Sequence, residues 1–197
     1  MLKALIVYVH LLATAFALVE LLKFDFQMLR KLNQPLSIAA RKQLRRVRVT
    51  ISLALAVLWV TGIGLVVSSA LVAPDSTWAN EKLWMKVITV LLLTLNGILV
   101  HRVASRWLAP GLVVSEMPPL QQQLLLVMGT VSTVSWLFAA FLGIARTWDN
   151  TARIEELLAL YGTLLIGAIV VLNVLLAARP ARNASKNAVE VETRHPS

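Results

Sequence analysis

A histidine and a glutamate, His10 and Glu20, lie inside the first long apolar stretch of the chain, and Lys86, Asn96 and His101 lie inside a later one. Each of these side chains can titrate, donate or ligate. An ionisable group at membrane depth costs about 2.5–3.5 kcal/mol on insertion scales, so such residues face a partner, a cavity or a cofactor. At about 100° per residue, His10, Ala13, Thr14, Ala17 and Glu20 share an arc of about 120°. Lys86, Thr89, Leu93, Asn96, Gly97 and His101 share one of about 140°. The two faces are expected to meet inside a bundle.

Depth sorts the candidates into two groups. With about 1.5 Å of rise per residue, His10 lies roughly 12 Å below the outer end of its helix, and Lys86 lies nearer that surface. His10 with Lys86, beside Ser132, Ser135 and Trp136, forms an outer group. Glu20, Asn96 and Asn173 form an inner polar path, with His101 at its edge. Several readings stay open for His10: an axial haem ligand, a copper ligand, a proton carrier, or a neutral ring bonded to a backbone carbonyl or a serine. Lys86 either serves a cofactor or snorkels beside Trp84. Glu20 either relays protons or pairs with a base of the second helix such as Arg48.

Some chemistry is excluded. His10 and His101 differ in depth by roughly 13 Å, too far apart to ligate one iron from both sides. Two bis-histidine haems would need four intramembrane histidines, and the spans hold two. Cysteine is absent, which removes disulfides, thiolate metal sites and thiol nucleophiles. No phosphate-binding loop, dinucleotide fingerprint or metalloprotease histidine pair occurs.

The elements that must position these residues are helices in a bilayer. The chain of 197 residues is 58% hydrophobic and 15% charged, where a soluble domain carries about 25% charged residues. Uncharged runs cover residues 49–74, 124–145 and 157–178, each at or above the roughly 20 residues that cross about 30 Å of hydrocarbon. Two shorter runs, 4–19 and 87–100, reach spanning length only with their flanking ionisable residues. The pattern predicts an all-α, polytopic transmembrane helix bundle over residues 1–178. Its five spans are expected near 2–24, 49–73, 83–105, 121–146 and 155–178, with a polar, disordered cytoplasmic tail at 179–197. The first span is expected to be retained: cleavage after it would leave Arg41, Lys42, Arg45, Arg46 and Arg48 on the wrong side.

Charge sets the orientation. The segment 23–48 carries eight Lys/Arg against the single acid Asp25, whereas Asp75, Glu81, Lys82, Arg146, Asp149, Arg153, Glu155 and Glu156 make the opposite loops acidic or mixed. That bias predicts an N-out/C-in arrangement. The net charge of +9 lies beside spans and not on a separable domain, which argues for anionic lipid and against nucleic acid as the partner. Trp78, Trp84, Trp148, Tyr8 and Tyr161 are expected at the outer interface and Trp107 at the inner one, with Trp59 and Trp136 as packing residues. Ser37 after Pro35 is an N-cap candidate that could start the second helix as early as Ile38. Small residues at Ser135, Ala139 and Gly143, and at Gly64 and Ser68, read as bundle contacts, with a homodimer or membrane-complex interface as the alternative.

The order of these features resembles a bacterial superfamily. A first span with a histidine and then a glutamate, VYVHLLATAFALVELLKFD, leads to a basic loop, a second span ending near TGIG, and a third opening with LWMK and carrying TLNG. This is similar to the small membrane proteins that include HemJ-type protoporphyrinogen oxidases and CopD copper-resistance domains, over residues 1–107. A HemJ-like member implies a b-type haem held partly by His10, with Lys86 assisting, in electron transfer or porphyrin oxidation in the bacterial inner membrane. A CopD-like member implies copper handling, although Met85, Met117 and Met128 are too scattered for the expected ligand sets. The resulting readings are a haem protein using His10 and Lys86, a copper- or proton-linked permease using Glu20, Asn96 and Asn173, and a structural subunit with no active site.

Overall fold

A computed structural model describes residues 1–30, 34–107, 113–149 and 151–178, apart from the side chains of 104–106 and 115. The tail expected to be disordered lies outside the described residues. The chain is an all-α bundle with five helices long and apolar enough to cross a membrane: α1 (Leu2–Arg30), α2 (Ile38–Ala70), α4 (Glu81–Trp107), α5 (Pro119–Ile144) and α6 (Ile154–Ala177). A short α3 (Pro74–Trp78) joins α2 to α4, and single 3-10 turns at Val114–Glu116 and Arg146–Trp148 precede and follow α5.

The outside of the bundle is its apolar side. Leu5, Phe16, Val60, Leu95, Ile166 and Val174 are all exposed, whereas Lys82, Thr89, Asn96, Thr130 and Ser135 are buried. Water could not solvate such a surface, so the protein is a multi-pass membrane protein in contact with lipid. Lipid tails are as apolar as leucine, so burial alone does not drive helices together; close packing and interhelical hydrogen bonds do. One packed layer gathers Ala17 and Leu21 of α1, Ala54 and Leu58 of α2, Leu93 of α4 and Trp136 of α5. A second joins Met85 of α4 to Val134, Phe138 and Leu142 of α5 and to Leu157 and Tyr161 of α6. α1 therefore packs on α2 and α5, while α4 packs on α5 and α6.

The helix ends differ from the apolar runs for identifiable reasons. α2 begins at Ile38, because the Ser37 hydroxyl accepts the Ala40 N–H at 3.1 Å and caps a basic stretch that lipid does not require. α1 continues six residues past 24, to Arg30, held by Met28 packing into a cluster around Leu36 and Leu44. α6 takes part of its N-terminal capping from another helix: Glu81 accepts the Ile154 N–H at 2.5 Å, satisfying one of the four orphan donors.

Candidate functional site

His10 is half-buried on α1 and turns toward α2, where its Nδ1 lies 2.7 Å from Thr61 Oγ1. Thr61 has one hydroxyl proton, and it donates that proton to the Val57 carbonyl of its own helix at 2.6 Å. The bond between the two side chains therefore needs its proton from the ring. His10 Nδ1 is assigned as the donor, and in the neutral ring this leaves the lone pair on Nε2. Gly62 lies beside the ring: a methyl group there would meet His10 Cε1 at 3.7 Å, an ordinary van der Waals contact. Gly64, two residues on, lies near Ile6, about one turn before His10 on α1: a methyl group there would meet Ile6 Cδ1 at 4.0 Å. The TGIG segment is thus the seat of the histidine, a role that its small residues signal but its apolar setting hides.

Lys86, half-buried on α4, lies within electrostatic reach of His10 and of the Lys82–Asp149 pair. The outer pairing of His10 with Lys86 is therefore one of proximity, while the hydrogen bond of His10 belongs to α2. Ser135 and Trp136 have partners of their own. Ser135 Oγ meets Tyr161 OH at 2.8 Å across α5 and α6, and Trp136 fills the layer below. Tyr161 is buried there, with its hydroxyl partnered inside the bundle.

The inner residues take separate partners. Glu20 pairs with Lys23 of its own helix at 3.7 Å, and Arg48 turns to His101 of α4 at 3.4 Å. Asn96 donates to the Met128 carbonyl of α5 at 2.9 Å, while Asn173 donates to Ile169 one turn back on α6 at 2.8 Å. No hydrogen bond links Glu20, Asn96 and Asn173 to one another among the described residues.

Two polar contacts carry no signal in the linear chain. Lys82, which reads as a loop charge, is 1% exposed; its ammonium donates to the Ala145 carbonyl at the end of α5 and to Asp149 at 2.8 Å. Asp25, which reads as the single acid of a basic loop, lies in α1, where its carboxyl meets the Thr133 hydroxyl of α5. Both partners are more than 60 residues away in the chain, so neither contact has a local pattern.

The donor set limits what metal chemistry the site could support. Among the described residues no three His, Cys, Asp or Glu side chains cluster as a metal-ion site. Copper held only by protein donors needs two or three such groups. A haem brings four equatorial nitrogens of its own and asks the protein for as little as one axial nitrogen, ideally on a ring whose other nitrogen is already held. His10 on Thr61 fits that demand, and Lys86 is a cation within reach. A second feature is an open cleft of about 350 Å³ at the end of the bundle where α3 meets the α5–α6 loop, lined by Ser76, Glu81, Thr151 and Arg153. It does not include His10. No protein-family model, curated protein or solved structure matches the chain.

Proposed function

We propose that this chain is a haem-binding protein of the bacterial inner membrane, of the HemJ/CopD-like kind, with its N-terminus outside. The observation that supports this reading is the hydrogen-bond geometry at His10: Nδ1 is held by Thr61, so in the neutral ring with its proton there Nε2 would be the nitrogen available to a metal. Second-shell fixing of one ring nitrogen is the usual way that proteins orient a ligating histidine. In this reading Lys86, within electrostatic reach of His10, would meet an anionic group of the cofactor, and the ring lies beside Gly62 of α2. Bound there, a b-type haem supplies a one-electron redox centre, the chemistry needed for electron transfer or porphyrin oxidation. Glu20, Asn96 and Asn173, the residues of the permease reading, each bond to a different partner.

The test is an absorption spectrum. The full chain, produced in haem-replete cells and purified in detergent, is expected to show a Soret band that is lost in His10→Ala and retained in Lys86→Gln. A colourless wild-type preparation overturns the reading.

A further inference from the structure

Three carboxylates of the described residues have cationic partners, Glu20 with Lys23, Asp149 with Lys82 and Glu155 with Arg153, while Asp75, Glu81, Glu116 and Glu156 are exposed. Asp25 differs. It is half-buried where α1 packs on α5, and it meets the Thr133 hydroxyl. No cation pairs with it among the described residues.

Among the described residues, the charged groups of the elements packed against it are exposed or meet other partners. α5 has no ionisable side chain anywhere from Pro119 to Ile144. On α1, Lys23 is paired with Glu20, and Arg30 lies over the Phe26 ring at 4.6 Å. On α2, Arg41, Lys42, Arg45 and Arg46 are exposed, and Arg48 turns to His101 of α4.

The hydroxyl of Thr133 has a single proton and two oxygens in reach: Asp25 Oδ2, and the Gly129 carbonyl at 3.1 Å. With Asp25 ionised, two acceptors compete for that proton, and one contact is an oxygen facing an oxygen with no hydrogen between them. A proton on Asp25 removes the conflict. The acid then donates to Thr133, and Thr133 donates to Gly129, the same relay order found at His10, Thr61 and Val57. A neutral acid in an apolar helix contact needs only its hydrogen bonds, whereas an ionised one needs a countercharge as well.

We propose that Asp25 is a proton-binding site: with its proton it seats α1 on α5 at Thr133, and without it an unpaired charge enters that helix contact. The ligand is the proton itself, and the site stands independently of any cofactor at His10.

Apolar carbodiimides test this directly, since they react with protonated carboxyls in apolar surroundings. The carboxyl proton goes to a nitrogen of the reagent and the carboxylate oxygen to its central carbon, leaving a covalent adduct after rearrangement to the acylurea. The full chain in detergent is treated with dicyclohexylcarbodiimide across a pH series and mapped by peptide mass spectrometry. An adduct is expected on Asp25 at acidic pH, lost as pH rises, and absent in Asp25→Asn, with Glu20 unmodified because Lys23 pairs with it. The pH series on the wild-type chain needs no variant to fold. If Asp25 is unmodified at every pH at which circular dichroism shows an intact helical protein, or if Glu20 labels to the same extent, the proposal is overturned.

Discussion

Lys82 in the first turn of α4 reaches Asp149 in the α5–α6 loop at 2.8 Å, and the two ends of this ion pair differ in their surroundings. The lysine side chain is 1% exposed and the aspartate 47%. The lysine also donates to the Ala145 carbonyl, where the helical hydrogen bonding of α5 stops. One buried ammonium thus ties the start of α4 to the end of α5 and to the turn leading into α6.

That asymmetry predicts unequal mutational costs. Asp149→Asn leaves a buried cation with a carbonyl and a weaker partner, and is expected to destabilise the bundle by about 3 kcal/mol, the low end for breaking a buried pair. Lys82→Met keeps the aliphatic volume and leaves only a half-exposed carboxylate for water to solvate, so its cost is expected to be under about 2 kcal/mol. Reversible unfolding in mixed micelles, monitored by circular dichroism, measures both. Equal costs, or a larger one for Lys82→Met, would show that the pair does not hold the loop in this way.

Thr61 should matter to pigment binding without touching the pigment. Thr61→Val removes the oxygen that holds Nδ1 while preserving shape, so the ring can adopt either tautomer and rotate. Loss of a second-shell partner typically lowers metal affinity by about 10–100-fold, and a loss in that range is expected for haem titrated into the protein. Thr61→Ser, which restores the oxygen, should recover most of it. Titrations that superimpose for wild type and Thr61→Val would remove Thr61 from the site.

Gly62 gives a steric test of the same seat. A methyl group there would touch His10 Cε1 at 3.7 Å, an ordinary van der Waals contact, so Gly62→Ala is expected to fold and bind as wild type does. Gly62→Leu pushes into the imidazole and should break the Thr61 bond. Its expected signature is a helical protein with the Soret band lost or strongly reduced. A normal spectrum from Gly62→Leu would mean that the ring does not lie against α2.

What could be read from the chain follows from what a bilayer demands. The spans were legible because about 30 Å of hydrocarbon must be matched by an apolar run, whatever the partners are. Ser37 was legible as an N-cap because capping is local. The extension of α1 to Arg30 was not, since Lys23, Asp25 and Arg30 among Phe24, Phe26 and Met28 look like a basic loop until Met28 and Leu36 are seen to pack. Lys82 and Asp25 were hidden for the same reason: hydropathy grades a charge by its type, and only the three-dimensional partner shows that it is buried. His10 was found because its cost is visible in the sequence, but its partner Thr61 was not, since a threonine in an apolar helix has a small cost and many uses.

The Ser135–Tyr161 hydrogen bond is the remaining contact whose energy can be bounded before measurement. Ser135 is wholly buried and Tyr161 nearly so, and their hydroxyls meet at 2.8 Å between α5 and α6. In water such a buried pair, broken from one side, would be expensive, because the surviving hydroxyl would have lost a solvent that bonded well to it. In a bilayer the separated helices also find polar partners, and double-mutant cycles in membrane helices average about 0.6 kcal/mol with a maximum near 1.7. A cycle of Ser135→Ala and Tyr161→Phe is therefore expected to give a coupling of about 0.5–1.5 kcal/mol. Because Phe138 also packs on the Tyr161 ring at 5.3 Å, Tyr161→Phe keeps the aromatic contact and isolates the hydroxyl. A coupling near zero would mean that the hydroxyl pair adds nothing to the packing of α6 on α5; one above about 2 kcal/mol would mean that the hydroxyl pair excludes alternative partners even after the helices part.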